Sequence, residues 1–189
     1  MTGRAHAGGG DRRMNDTETR MKRAFWQADL AIIRWMAKVG PTLLRLSLGV
    51  VFLWFGFLKF FPGLSPAQDL AARTIRDLSG GMIGPEISIP LLATWESLIG
   101  IGLLVGKGLR GILFLLYAQM AGTLTPLFLY PSEVFTQIPY APTLEGQYII
   151  KNLVLISAGI VVGATVRGGE MVPEPGEPAG KRRKSGVKA

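Results

Sequence analysis

The segment from Leu43 to Phe61 constrains this chain more than any other. It is apolar and nearly long enough to cross a hydrocarbon core of about 30 Å at about 1.5 Å per residue. Yet it holds Arg45 near one end and Lys59 near the other. At about 100° per residue, Arg45, Gly49, Phe52, Gly56 and Lys59 share one helical face. Val50, Val51, Trp54, Phe57 and Leu58 lie on the opposite side. Lipid is expected on that second side, and protein or water on the charged stripe. Such a helix belongs in a bundle with a polar feature inside.

Composition agrees with a membrane protein. Hydrophobic residues make up 48% of the chain, the mean hydropathy is +0.31, and the apolar residues are clustered rather than periodic. The chain has no cysteine, which removes thiol–disulfide chemistry, cysteine-bound zinc and iron–sulfur clusters. Its one histidine, His6, lies in a Gly-rich polar tail, so no metal or haem site is expected. The net charge of +8 is read as Lys and Arg collected in cytoplasmic segments, not as a nucleic-acid surface. No cleavable signal peptide is expected, because the first apolar run starts about forty residues in and would serve as a signal anchor.

Along the chain, residues 1 to 15 read as a disordered polar tail. A helix is predicted from Asp16 to Val39, ended by Gly40-Pro41. Gln27, Arg34 and Lys38 give it a narrow polar face, while Phe25, Trp26, Ile32, Ile33, Trp35 and Met36 cover most of the rest. That pattern fits a helix lying in the cytoplasmic interface with its basic side towards anionic headgroups; a soluble amphipathic helix packed on a partner is the alternative. Spanning helices are predicted at 43–61, 87–105, 111–130 and 148–166. A short helix from Pro66 to Leu78 follows the first, with Asp69, Arg73 and Asp77 spaced for pairs four residues apart. It is expected to cap the bundle on the extracytoplasmic face. Pro126 should kink or end the third span. The stripe Gly111, Ala118, Gly122 and Thr125 is expected to let helices approach closely, as are Gly159 and Gly163. The chain thus divides into 1–40 (tail plus amphipathic helix), 41–166 (four-span domain) and 167–189 (disordered basic tail).

The Lys and Arg counts set the expected topology. Eight precede Leu43, two mark the turn at Lys107 and Arg110, and six lie beyond Val166. The loop 131–146 has neither residue, and Arg73 and Arg76 of the first loop are balanced by Asp69, Asp77 and Glu86. The positive-inside rule then places both termini in the cytoplasm.

Arg45, Lys59, Glu96 and Lys151 fall at membrane depth. An isolated charge at the bilayer centre costs at least about 2.5–3.5 kcal/mol. Glu96 is deepest and must be protonated, paired or hydrated. With the N-terminus inside, Lys59, Lys151 and Asn152 sit near the outer ends of their helices, and lysines reaching inward would narrow the gap to Glu96. The expected result is an outward-leaning polar pocket walled by Trp54, Trp95 and Tyr148. It would take a polar or anionic headgroup or a quinone, or carry protons through Glu96. The plainer alternative is that these residues fix helix register, with the lysines snorkelling to the surface.

These residues also carry a resemblance. The run Leu46-Ser47-Leu48-Gly49-Val50-Val51-Phe52-Leu53-Trp54-Phe55-Gly56, continuing Leu58-Lys59-Phe60-Phe61-Pro62, resembles the first-helix signature of the DoxX-like superfamily, most closely its YkgB-like branch. Trp95-Glu96 followed by Ile99-Gly100-Ile101-Gly102 resembles that group's second-helix motif, and Glu145 to Leu153 its fourth-helix entry. The resemblance covers roughly Pro41 to Val166. It implies a four-helix, multi-pass bacterial inner-membrane protein. Relatives include a quinone-reducing thiosulfate oxidoreductase subunit, a partner of superoxide dismutase and a sulfurtransferase, and a protein of reactive-chlorine resistance. What matches by motif is Lys59, Glu96, Lys151 and Asn152.

The combined expectation is an all-α integral membrane four-helix bundle. Its function is expected to be that of a membrane component of a redox or oxidative-stress system. Glu96 would exchange protons, with Lys59, Lys151, Asn152, Trp54, Trp95 and Tyr148 around the ligand. No protein-bound cofactor is expected; quinone and a soluble redox partner are the implied participants beside the lipid bilayer. A small transporter for a weak acid or anion, and a non-catalytic anchor for soluble partners, remain as alternatives.

Overall fold

In the computed structural model, the backbone is described for residues 9–65 and 68–169, and side chains for 20–65 and 68–169. The elements in order are helices α1 (Gly9–Leu58), α2 (Gln68–Leu78), α3 (Pro85–Val105), α4 (Leu109–Leu124), α5 (Pro126–Leu129) and α6 (Pro131–Val134). Strands β1 (Phe135–Gln137) and β2 (Ala141–Pro142) form a small antiparallel hairpin, and helix α7 (Leu144–Ala164) follows. Among the described residues, four helical stretches are long and apolar enough to cross a membrane: Arg20–Leu58, Pro85–Val105, Leu109–Leu129 and Leu144–Ala164. The fold is an all-α, multi-pass membrane bundle.

Three local expectations are corrected. Helix α1 begins at Gly9 and keeps Pro41 inside it, so residues 9–15 are helical and Gly40-Pro41 does not end the helix. Proline removes one amide donor, which would have met the carbonyl four residues earlier, and here that single loss does not break the helical backbone. The predicted disorder of 1–8 and 170–189 falls on residues outside those described. Helix α7 starts at Leu144, four residues before the predicted Tyr148. Thr143 makes this possible: its Oγ1 accepts from the Gly146 amide at 3.2 Å and caps the first turn. The loop 131–146 holds a helical turn and the β1–β2 hairpin rather than irregular chain.

Residues 41–170 form one compact unit, and α1 up to Gly40 belongs to another. In the latter, Phe25, Trp26, Ile32, Trp35 and Met36 are all exposed, leaving the apolar face of the amphipathic segment uncovered. In the bundle, Leu48 and Phe52 of α1 bury against Ile99 and Leu103 of α3, Leu113, Leu116 and Met120 of α4, and Ala158 and Val162 of α7. A smaller cluster joins Leu70 of α2, Val134 of α6 and Ile149 of α7. On the first span, Gly49, Phe52 and Gly56 of the charged stripe are buried and Val50, Trp54 and Phe57 of the opposite side are exposed, while Val51 and Leu58 of that side are half-buried.

Close approach occurs where glycine permits it. A Cβ at Gly49 would stand 2.8 Å from Leu104 Cγ, and one at Gly100 would run into the Leu53 backbone. The expected small-residue stripe on α4 does not work this way. Gly111 and Gly122 have nothing within 4 Å of an added Cβ, and Gly122 instead borders open space inside the protein. At the turn between α3 and α4, Gly106 (φ 75°) closes α3 in the left-handed conformation that glycine tolerates. Arg45 donates there to the carbonyls of Leu103 and Leu104, satisfying helix-end acceptors that would otherwise be orphaned.

At the other end of the bundle, α2 is fastened by charges. Arg73 binds Glu133 through both carboxylate oxygens, at 3.0 and 2.5 Å, and stands over the Tyr130 ring at 5.4 Å. The Tyr130 hydroxyl donates to Asp77. The ladder predicted along α2 is thus replaced by bonds reaching across to α6 and its approach. Its carboxylates respond: the Tyr130 hydrogen bond holds Asp77 below its usual range, and Arg73 does the same for Glu133.

Candidate functional site

The site starts from one missing side chain. A Cβ at Gly56 would lie 2.7 Å from Glu96 Cβ and 2.8 Å from Ser97 N, so glycine lets α3 come against α1 at the level of Glu96. Lys59 follows three residues later on the same face. Its ammonium stands 2.6 Å from Glu96 Oε2, with side chains only 13% and 10% exposed. The sequence led us to expect a gap between Lys59 and Glu96, bridged by long side chains; the two touch directly.

Glu96 is held from its other side by Gln119 of α4, whose Nε2 donates to Oε1 at 2.6 Å. Each carboxylate oxygen therefore has one donor, a cation on one side and an amide on the other. That arrangement is what a carboxylate needs when it is cut off from water. On α3, Ile89, Ala93, Gly100 and Leu103 share the buried side with Glu96.

These groups open onto a cavity of about 350 Å³ between α1, α3, α4 and α7. Lys59, Glu96, Gln119, Tyr148, Lys151 and Asn152 all line it, with Phe52, Phe55 and Met120 among the apolar walls. Lys151 is not paired with Glu96; its ammonium lies 5.5 Å from the centre of the Tyr148 ring, a cation–π distance. Glu145 also borders the space. Two lysines thus face two glutamates, and the cavity has no formal excess charge.

Two predicted wall residues lie elsewhere. Trp54 is 64% exposed and lines a groove with Val50, Phe57 and Leu104. It sits on the side the helical wheel assigns to lipid, so it does not wall the polar cavity. Trp95 faces a separate, adjoining cavity, and its Nε1 donates to the Leu115 carbonyl at 3.2 Å. Gln119 went unread in the sequence. Its signal was available: it is the one amide inside an uncharged spanning stretch, Gly111 to Tyr130, and a neutral donor there needs a partner as much as a charge does. Among the described residues, no group of three or more His, Cys, Asp or Glu side chains is placed to hold a metal ion.

The DoxX family model matches residues 40–132, so the stretch that carries Lys59, Glu96 and Gln119 is similar to that family. No curated protein and no solved structure matches.

Proposed function

We propose, from the likeness of residues 40–132 to the DoxX family, that the protein is the membrane component of a redox or oxidative-stress system, and that its polar cavity takes the carbonyl-bearing headgroup of a quinone. The observation that carries the reading is the charge balance around Glu96. Lys59 is committed to Glu96, Lys151 stands over the Tyr148 ring, and with Glu145 also on the wall the cavity carries no net formal charge. A neutral headgroup with carbonyl acceptors suits a wall without excess positive charge better than an anion does. Lys151 and Asn152 offer the donors, and the Phe52, Phe55 and Tyr148 rings offer apolar walls. The volume falls at the lower end of the roughly 300–1,000 Å³ typical of small-molecule sites.

Glu96 is the proton-exchanging group in this reading. Reduction of a quinone to a quinol takes two electrons and two protons. A soluble redox partner would supply the electrons, and Glu96 would pass the protons in succession, its carboxylate held by Lys59 between transfers. The DoxX family is often linked to oxidative-stress or quinone-related systems, which supports this assignment. We place the protein in the bacterial inner membrane with both termini in the cytoplasm, on the distribution of Lys and Arg. The cavity then leans towards the outer leaflet, and the amphipathic stretch before Gly40 lies in the cytoplasmic interface.

The test is titration of a short-chain quinone into the protein in lipid nanodiscs. Wild type is expected to bind and Lys151→Met to bind about tenfold more weakly through loss of one charged donor; when dithionite is then added as the two-electron donor, Glu96→Gln is expected to bind quinone but to take up the two protons of quinol formation more slowly than wild type. Absence of binding by the wild type would contradict the proposal.

A further inference from the structure

At the α2 end of the bundle lies a vestibule of about 780 Å³. Asp69 and Arg73 of α2, Glu133 of α6 and Glu145 of α7 line it, with Ser65 and Gln68 beside them. Three carboxylates thus face one cation, and that cation is already engaged, since Arg73 binds Glu133 through both oxygens. Asp69 and Glu145 leave the vestibule negative. Both are exposed, and Asp69 lies outside the four spanning stretches, so the vestibule meets water.

Ser65 and Glu145 line both this vestibule and the polar cavity that holds Glu96. The two spaces therefore adjoin at those residues. An acidic side chain in the first turn of a helix is often there for the helix dipole. The dipole does not ask for a place where two polar spaces meet, and among the described residues no cation pairs with Glu145. Carboxylates in series are a recurrent way to carry protons between a group at membrane depth and bulk water. Water has partners along the way, because Lys59, Glu96, Asn152 and Glu145 all border the polar cavity and each supplies donors or acceptors.

We propose that Glu145 is a proton relay, through which Glu96 exchanges protons with the water at the α2 end of the bundle. Its carboxylate accepts a proton from vestibule water and gives one to water in the cavity, which passes a proton to Glu96. The reverse order releases it. No other bond changes, and Glu145 is a carboxylate again after each transfer. The relay rests on Glu96 being the proton-exchanging group of the proposed function. The acidic lining adds that the route favours cations over anions.

The chain has no cysteine, so a single introduced thiol reports access without background. Asn152→Cys puts one on the wall of the polar cavity. The full chain carrying it, in lipid nanodiscs, is treated with a cationic trimethylammonium methanethiosulfonate and, separately, with its anionic sulfonate counterpart. Relative to their rates with free cysteine, the cation is expected to react about threefold faster, the order of two screened charges at the mouth. Adding Glu145→Gln should lower that preference, and adding Ser65→Trp, which narrows the join, should slow both reagents. With the cavity otherwise intact, Glu145→Gln alone should slow quinol formation by dithionite about a hundredfold, the lower end for a positioned proton donor, and Glu145→Asp should restore most of it. A thiol left unlabelled in folded protein, or labelled as fast with Ser65→Trp as without it, overturns the route. Quinol formation at the wild-type rate in Glu145→Gln overturns the relay alone. Labelling needs no quinone, so a wild type that binds none defeats the proposed function, and the relay with it, while labelling still decides the route.

Discussion

Lys59 Nζ and Glu96 Oε2, 37 residues apart in the chain, meet at 2.6 Å in a nearly dry place. Removing one partner of such a pair leaves the other charge uncompensated. Lys59→Met is expected to destabilise the bundle by about 3–5 kcal/mol. Lys59→Met combined with Glu96→Gln should recover most of that loss. Thermal unfolding of the four proteins of this cycle in detergent checks it; a double variant as unstable as Lys59→Met would show that the pair is not the source.

Gly56 and Gly122 should respond oppositely to the same added methyl group. Gly56→Ala drives a Cβ into Glu96 and Ser97, and the overpacking is expected to cost about 1–3 kcal/mol. Gly122→Ala meets open space and should leave the thermal midpoint unchanged or slightly raised. Equal losses from the two would mean that α1 and α3 do not approach as described.

Arg45 closes the α3 end of the bundle by donating to the Leu103 and Leu104 carbonyls. Arg45→Met keeps the apolar stem and removes the donors, and is expected to cost about 1.5–3 kcal/mol, the range for a hydrogen bond to a charged group. Faster amide exchange at Gly106 and Lys107 would accompany it. Exchange unchanged from wild type would contradict a capping role.

The fastening of α2 should depend on pH. Asp77 and Glu133 are held below their usual carboxylate range by Tyr130 and Arg73, so each is more acidic folded than unfolded. Their contribution is fully present above the unfolded values, near about 4, and is lost as pH falls through the lower folded values. Both groups are solvent-exposed, so the effect is local rather than global. Hydrogen exchange in α2 should rise below pH 4, and Glu133→Gln should remove part of that rise; exchange independent of pH in wild type would contradict the bonds to α6.

What the sequence could tell about this protein depends on how costly each residue is when misplaced. Glu96 and Lys59 stood out because a charge in an apolar span must be paired, and their contact follows from the Gly56 approach. Gln119 carries the same requirement without a charge and so escaped notice. Trp54 shows a different failure: its place on the wheel already assigned it to lipid, but nearness in sequence to Lys59 suggested a wall. Gly122 marks a cavity rather than a helix contact, because a missing side chain leaves either outcome open until the neighbouring helix is placed. Proline misled at Pro41, where the helical backbone tolerates one lost bond, and guided correctly at Pro126, which opens α5 where α4 ends. The start of α7 was hidden because its first turn is polar, and only the Thr143 cap reveals it.

The quinone headgroup proposed above would sit in the cavity that joins Lys59, Glu96, Gln119, Lys151 and Asn152. Photolabelling in nanodiscs with an azidoquinone, followed by peptide mapping, tests it most directly. Label is expected on α7 between Tyr148 and Leu155 and on α1 near Phe55, suppressed by excess unlabelled quinone and reduced in Lys151→Met. Label confined to the exposed face of Trp54 and Phe57, unaffected by competitor or by Lys151→Met, would contradict it.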